Sequence, residues 1–366
     1  MNAQFQEKMI TVIYPYRNRE LSRIKNSLDS LAGQSNKDFS VLFVDYGSDF
    51  EISASIKELL QHYKFVKYIY SFHNNQPWSR SKAINIGLRI AETEYVFIAD
   101  IDIIFHKKFI HTLAELKTKN QNVYFQVGYL NEDESKLLKE FDSYTITSKS
   151  IPEGQGLSLF KLNALLTIGG FDEFFHFWGA EDEDVHSRLQ NAGFSSKFYN
   201  GEILLLHQWH KVFENLEKDK LTCELSLSDV FHLNKQKLRF NQKNYIIKAN
   251  NENWGKVIME KEFEYLNSNL DPVILLNKKQ IVENFINIIL PNTHSKTINV
   301  IFSEDIYQSL LKYKIKKFLR IKTHEYYTLK EINDLLLKNL VIYYPNYLFH
   351  YMISQDLKSI QLKIKK

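Results

Sequence analysis

Between residues 9 and 99 the chain repeats one pattern, a short apolar run followed by a polar stretch with apolar residues at helical spacing. The runs cover 9–14, 41–45, 66–70 and 95–99 and are rich in β-branched and aromatic residues. Leu21, Ile24, Leu28 and Leu31 mark the first helix face, which Gly33 closes, and 52–63 and 79–91 read as further helices. Strands this apolar must be covered on both faces. That requires a parallel sheet with right-handed crossovers, so the fold class is α/β. Ligands of such sheets sit beyond the carboxyl ends of the strands, and the residues there carry the functional information.

Strand one ends at Pro15-Tyr16-Arg17-Asn18-Arg19, strand two at Asp45, and strand four at Asp100-Ile101-Asp102. Two arginines and three carboxylates thus converge on one edge. No Gly-x-Gly-x-x-Gly follows strand one and no Gly-Lys-Ser/Thr loop occurs, so neither a dinucleotide fold nor a P-loop is supported. In an extended Asp100-Ile101-Asp102 the two carboxylates point to the same side, which suits a hard cation that also holds a diphosphate. A further apolar run at 202–206 leads straight into His207-Gln208-Trp209-His210. Imidazole with carboxylate is compatible with manganese and less typical of magnesium.

The densest stretch lies between Gly169 and Asp184. Five aromatic residues crowd positions 171–178, and Glu181-Asp182-Glu183-Asp184 follow with no basic residue among them. Val185, Leu189 and Ala192 then recur at helical spacing up to Gly193, so the acids occupy a helix's first turn, near the positive end of its dipole. A helix start that simply favours acids accounts for one or two of them. Four in a row after Trp178-Gly179 fit a cleft floor that meets polar hydroxyls.

The 366 residues suffice for about two domains. A single cysteine, Cys223, excludes an intrachain disulfide and fits a reducing compartment. The start of the chain has no basic-then-apolar leader, and no apolar run reaches 18 residues, so a cytoplasmic protein is expected, with peripheral contact at the inner face of the membrane. Charge is uneven. Residues 311–366 carry 12 Lys+Arg against 4 Asp+Glu, while the rest of the chain carries 35 against 39. In that basic tail, Leu310, Leu311, Ile315 and Leu319 alternate with lysines. Two accounts fit: an amphipathic helix packed on the body, or a helix docked on an anionic membrane. No nucleic-acid module is recognisable, and nucleic acid is not an expected partner.

Taken together the motifs resemble inverting glycosyltransferases of the GT-A fold, of the bacterial family 2 type. The acceptor segment is similar to that of β-1,4-galactosyltransferases and chondroitin-polymerase modules. The resemblance spans roughly residues 9–215. Pro15-Tyr16-Arg17-Asn18-Arg19 resembles the family's Pro-Phe-Arg-Asn-Arg loop, and Ser79 to Gly87 its Asn-Arg-Ala-Lys-x-x-Asn-x-Gly helix. Asp100-Ile101-Asp102 falls at its Asp-Val-Asp metal site, and Gly170-Phe171 keeps the family's spacing to Trp178-Gly179-Ala180-Glu181-Asp182. Three departures stand out. Ala180 replaces a second glycine, Tyr46 replaces the second acid of Asp-Asp-Gly-Ser, and His207 stands at a methionine ligand.

The resemblance implies a Rossmann-like, mostly parallel sheet flanked by helices over 1–245, divided at about 105 into nucleotide-sugar and acceptor halves. A mainly helical region with a few short strands would follow over 246–366. It implies transfer of a hexose or N-acetylhexosamine from a UDP-sugar to a glycan or lipid-linked glycan, with inversion, in bacterial surface polysaccharide or glycoconjugate synthesis. Pro15, Tyr16, Arg17, Arg19, Asp45, Arg80, Asp100 and Ile101 would hold the nucleotide sugar. Asp102 and His210, with Asp100 and His207 beside them, would hold Mn2+ or Mg2+. Asp182 would be the base, with Glu181, Trp178 and Gly179 on the acceptor. A retaining transferase of the same fold also fits. A sugar-phosphate nucleotidylyltransferase fits less well, since its Gly-rich signature after strand one is missing.

Overall fold

A computed structural model describes residues 8–117, 122–152, 154–211, 220–267 and 270–366. The chain forms two compact units. One comprises residues 1–71, 79–215 and 231–257, and the other 72–78, 216–230 and 258–366. The division is interleaved, where the sequence suggests a single cut near 245.

The first unit starts with the expected alternation. Strands β1 (Ile10–Tyr16), β2 (Phe39–Asp45), β3 (Val66–Tyr70) and β4 (Tyr95–Ile98) are joined by α1 (Leu21–Ala32), α2 (Phe50–Leu60) and α3 (Arg80–Ile90). β1 pairs in parallel with both β2 and β4, and β2 with β3. After β5 (Ile103–Phe105) and α4 (Phe109–Lys117) come β6 (Asn122–Phe125), β7 (Gly128–Tyr129), α5 (Glu132–Ser135) and β8 (Ser148–Lys149). β9 (Ser158–Lys161), α6 (Leu162–Thr167), α7 (Glu181–Asn191), β10 (Ser196–Tyr199), β11 (Leu205–His207) and α8 (Val230–Lys243) complete it. The main sheet runs β10-β6-β9-β4-β1-β2-β3, and only β9 is antiparallel to its neighbours. A smaller sheet, β5-β11-β7-β8, lies beyond the end of β4.

The first strand runs through Pro15, past the end that the proline suggests. The register explains this. β1 pairs with β4 only as far as Ile13 opposite Ile98, whereas its pairing with β2 continues to Tyr16 opposite Asp45. Tyr16 O accepts from Tyr46 N on the β2 side, so Pro15 points to the side that β4 has already left. A residue without an N–H costs no ladder bond there. Packing of α3 on this strand needs Gly87, because a Cβ there would stand 2.6 Å from Ile13 Cγ2.

In the second unit α9 (Glu260–Asn267), β12 (Val273–Leu276), α10 (Lys279–Asn284), α11 (Leu290–Asn292), β13 (Thr297–Ser303), α12 (Leu311–Phe318), α13 (Leu329–Tyr343), β14 (Leu348–Ile353) and β15 (Ser359–Lys365) follow in order. Its sheet is ordered β12-β13-β15-β14. The few strands of this mainly helical region form that sheet: β13 and β15 pair over seven residues, with Ile360, Leu362 and Ile364 buried between exposed or half-buried partners.

Candidate active site

Strand pairing assembles the first cluster. β11 runs antiparallel to β5 with His207 opposite Ile103, and Gln208 N donates to Asp102 O at 2.9 Å. Asp102 thereby meets two histidines from the far end of the unit. His207 Nε2 is 3.6 Å from Asp102 Oδ1, and His210 Nε2 is 3.3 Å from Oδ2. Ligand atoms of all three lie within 4.8 Å of one another. Asp102 is buried, and its Oδ1 has no hydrogen-bond partner. A buried carboxylate oxygen left unpaired among two imidazoles is costly unless a cation completes it, so these residues fit a metal ion. Both histidines lie beside Asp102, and the sequence favours His210 over His207 as a ligand. Arg23 of α1, not singled out by sequence, approaches Asp102 Oδ2 at 3.6 Å.

Asp100 is not in that cluster. Residues 101–102 form a turn between β4 and β5, with Ile103 N reaching Asp100 O at 3.3 Å, so the two carboxylates do not share one side of an extended segment. The turn sends Asp102 to the histidines and Asp100 to Arg80. Arg80, the first residue of α3, donates from Nε to Asp100 Oδ1 at 3.0 Å, from Nη1 to Asp182 Oδ1 at 2.8 Å, and from Nη2 to Gly156 O at 3.1 Å. Burial alone would lower the Arg80 pKa, but Asp100 and Asp182 outweigh it and raise it. Asp182 Oδ2 lies against Gly156, at 3.1 Å from where a Cβ would stand. Sequence reading passes over Gly156, although the Gly154-Gln155-Gly156 run is visible.

The four carboxylates of α7 have four different fates. Glu181 is buried, and its pKa is pushed up to about 7 by burial and by Asp182, with Arg80 opposing. Asp182 is raised by burial, again against Arg80. Glu183 pairs with Lys235 of α8. Asp184 is sealed inside, where Arg188 Nε reaches its Oδ2 at 2.6 Å and Asn241 Nδ2 its Oδ1 at 2.7 Å. Arg188 also donates to the carbonyls of Ile168 and Gly170, so this pair ties α7 to the segment that precedes it.

That segment is bent by left-handed residues: Gly170 at φ +73°, Phe177 at +63°, Gly179 at +98° and Ala180 at +77°. Gly170 admits Asn85 of α3, whose Oδ1 accepts from Phe171 N at 2.8 Å. A glycine is the easy occupant of the Ala180 conformation, and this chain carries Ala there as the N-cap of α7. Trp178 is exposed and stacks on Phe231 of α8, with ring centroids 5.3 Å apart. Phe231 and Lys235 add a wall to the site that no spacing in the sequence announces.

The remaining residues at the strand ends divide by burial. Pro15, Tyr16, Asp45 and Ile101 are buried, and Tyr16 and Ile101 belong to the core. Asp45 accepts from Ser48 N and Tyr68 OH, both at 2.8 Å, and burial raises its pKa. In this arrangement these side chains face the interior. Arg17 is half-buried with its pKa lowered by desolvation, and Arg19 is exposed.

One cleft of about 330 Å³ collects the chemistry. It is lined by Asp100, Tyr129, Trp178, Glu181, Asp182 and His207, among others. His207 of the Asp102 cluster and the acidic helix start therefore line the same space. Residues 11–185 match the profile of the family described as Glycosyl transferase family 2. These residues, just under half of the chain, are similar to that family's domain. Over this stretch the chain is similar to glycosyltransferases, and its main sheet is mostly parallel. It is similar to chondroitin sulfate synthase 3 of Homo sapiens, 25% identical over 170 residues, covering 41% of this chain and 19% of that protein. It is also similar to human β-1,4-galactosyltransferase 5, 27% identical over 135 residues, covering 37% of this chain and 32% of that protein. The chain thus spans a third or less of the length of these relatives. Among solved structures, GalNAc-T7 with UDP, GalNAc and Mn2+ is 14% identical with a TM-score of 0.47, covering 65% of this chain and 49% of that one.

Proposed function

We propose that this glycosyltransferase moves a hexose or N-acetylhexosamine from a UDP-sugar to a hydroxyl of a glycan or lipid-linked glycan, with inversion at the anomeric carbon. The observation that carries this reading is the shared cleft, in which His207 of the metal cluster and Asp182 of the acidic helix start line the same walls. Asp102, His207 and His210 would hold a divalent cation, manganese by ligand type, which supplies charge for the departing diphosphate.

Asp182 takes the proton from the acceptor hydroxyl as the hydroxyl oxygen bonds to the anomeric carbon and the bond from that carbon to the diphosphate breaks. Arg80 holds Asp182 in place through Oδ1 and opposes the effect of burial, so the carboxylate stays available as a base. Glu181, with a pKa about 7, is placed beside it to hydrogen-bond an acceptor hydroxyl in either protonation state. Trp178 offers an apolar face to a sugar ring, and Phe231 behind it fixes the indole. Arg17 and Arg19, at the end of β1, would meet the nucleotide. Direct displacement needs a base on the acceptor side, and an acidic helix start across the cleft from the metal cluster provides one.

The test is UDP release across a panel of UDP-sugars with Mn2+ and a glycan acceptor, with the product anomer read by NMR. One UDP-sugar turned over with inverted configuration is the expected result. Retained configuration would overturn the displacement mechanism, and absence of turnover with every UDP-sugar would overturn the donor class.

A further inference from the structure

In the second unit, helix α12 (Leu311–Phe318) is laid down with its apolar stripe outward. Tyr313 faces inward, buried against Tyr307 and Tyr326. Leu311, Ile315 and Phe318 are 71%, 47% and 86% exposed. At about 100° per residue these three share an arc of roughly 60°. Leu310, Leu319 and Ile321, flanking the helix, are 47%, 58% and 50% exposed. An amphipathic helix of a globular body normally packs such a stripe on the core. Here the packed-helix account fails, and an exposed apolar patch of this kind marks an interaction surface.

Its charge says which kind. Lys312, Lys314, Lys316, Lys317, Arg320 and Lys322 surround the apolar arc, and residues 310–322 contain no acid. Lysines border the arc on both sides, with Lys314 and Lys317 on one flank and Lys312 and Lys316 on the other. We infer that α12 and the turn after it dock the protein on an anionic bilayer surface. The leucines, isoleucines and phenylalanine enter the headgroup boundary, and the lysines meet lipid phosphates and carboxylates. A nucleic acid would use the lysines but leave the aliphatic side chains in water. An acidic protein groove is the other occupant that the pattern allows.

Cosedimentation of the full chain with vesicles tests the inference. Vesicles of phosphatidylcholine with phosphatidylserine should bind the protein, and phosphatidylcholine alone should bind it at least roughly tenfold more weakly, given about 1 kcal/mol per basic residue near an anionic surface. Leu311→Ser with Phe318→Ser should remove binding while thermal unfolding stays unchanged, because both side chains are already in water. Lys314→Glu with Lys317→Glu should remove it too. Phe318→Trp should shift its fluorescence to the blue on anionic vesicles. The inference is overturned if anionic vesicles bind no better than neutral ones, or if the serine variant binds as well as the parent. A dimer in sedimentation that the serine variant dissolves would overturn it as well, assigning the patch to a second copy of the chain.

Discussion

Arg80 and Asp182 lie 102 positions apart in the sequence, and Nη1 of one stands 2.8 Å from Oδ1 of the other. The same guanidinium holds Asp100 and the Gly156 carbonyl, so one side chain joins β4, the loop before β9 and the start of α7. A lysine ammonium cannot span three partners in that fixed plane. Arg80→Lys should lower transfer about tenfold to a hundredfold, the range that hydrogen bonds to charged groups supply. It keeps a positive charge but removes the guanidinium hydrogen bond that helps to lower the Asp182 pKa. The acid limb of the kcat/KM profile, which reports ionisation of the base, should therefore move to higher pH. An unmoved limb would separate Arg80 from Asp182.

Glu181 gives a stability signature. Its pKa is raised from 4.5 in the unfolded chain to about 7 in the fold, chiefly by burial. The folded state then binds more protons than the unfolded one between those values, so stability declines as pH rises through that window. The size is on the order of 1–3 kcal/mol. Urea unfolding at pH 5 and pH 8 should show the decline in the parent and a smaller one in Glu181→Gln. The same slope in both would mean that Glu181 is not the group.

The cation site predicts a binding defect separable from catalysis. Asp102→Ala removes the one carboxylate among the three candidate ligands, so Mn2+ binding followed by electron paramagnetic resonance should be lost along with transfer. Thermal unfolding without metal should change little or improve, since an unpaired buried oxygen goes with the side chain. Full activity after EDTA treatment would contradict a metal-dependent enzyme.

Asp184 should behave as a structural residue. Its carboxylate and Arg188 are wholly buried together. Arg188→Met leaves an uncompensated charge in the interior, at a cost of about 3–5 kcal/mol. Equilibrium denaturation should register this loss, and replacing Glu183, which meets Lys235 at the surface, should cost less than about 1 kcal/mol.

Much of this was readable from the chain because strands buried on both faces show as unbroken apolar runs, and their carboxyl ends then locate Arg17, Asp102 and His207 by rule, while the run of four acids marks Asp182 at a helix start. What was not readable depends on contacts between distant segments. Nothing local says that Arg80 bridges Asp100 and Asp182, that Arg23 reaches Asp102, or that Phe231 backs Trp178. The Asp100-Ile101-Asp102 motif looks extended in sequence, yet the end of β4 at Ile98 forces a turn that sends its carboxylates apart. In β15 the period-two signal is present at Ile360, Leu362 and Ile364, but lysines at 363, 365 and 366 give the same residues the look of a basic tail. Small strands such as β7 and β8, two residues each, carry no signal of their own.

The assignment of Asp182 as the base is tested most directly by comparing Asp182→Asn with Glu183→Gln, measuring transfer to acceptor and donor binding separately. Asparagine keeps the shape and the place beside Arg80 but cannot take the proton. Transfer should fall by about two to four orders of magnitude in Asp182→Asn, with UDP-sugar binding retained, and change little in Glu183→Gln. Equal losses in the two variants would contradict the account, because the carboxylates at the start of α7 would then contribute only their charge.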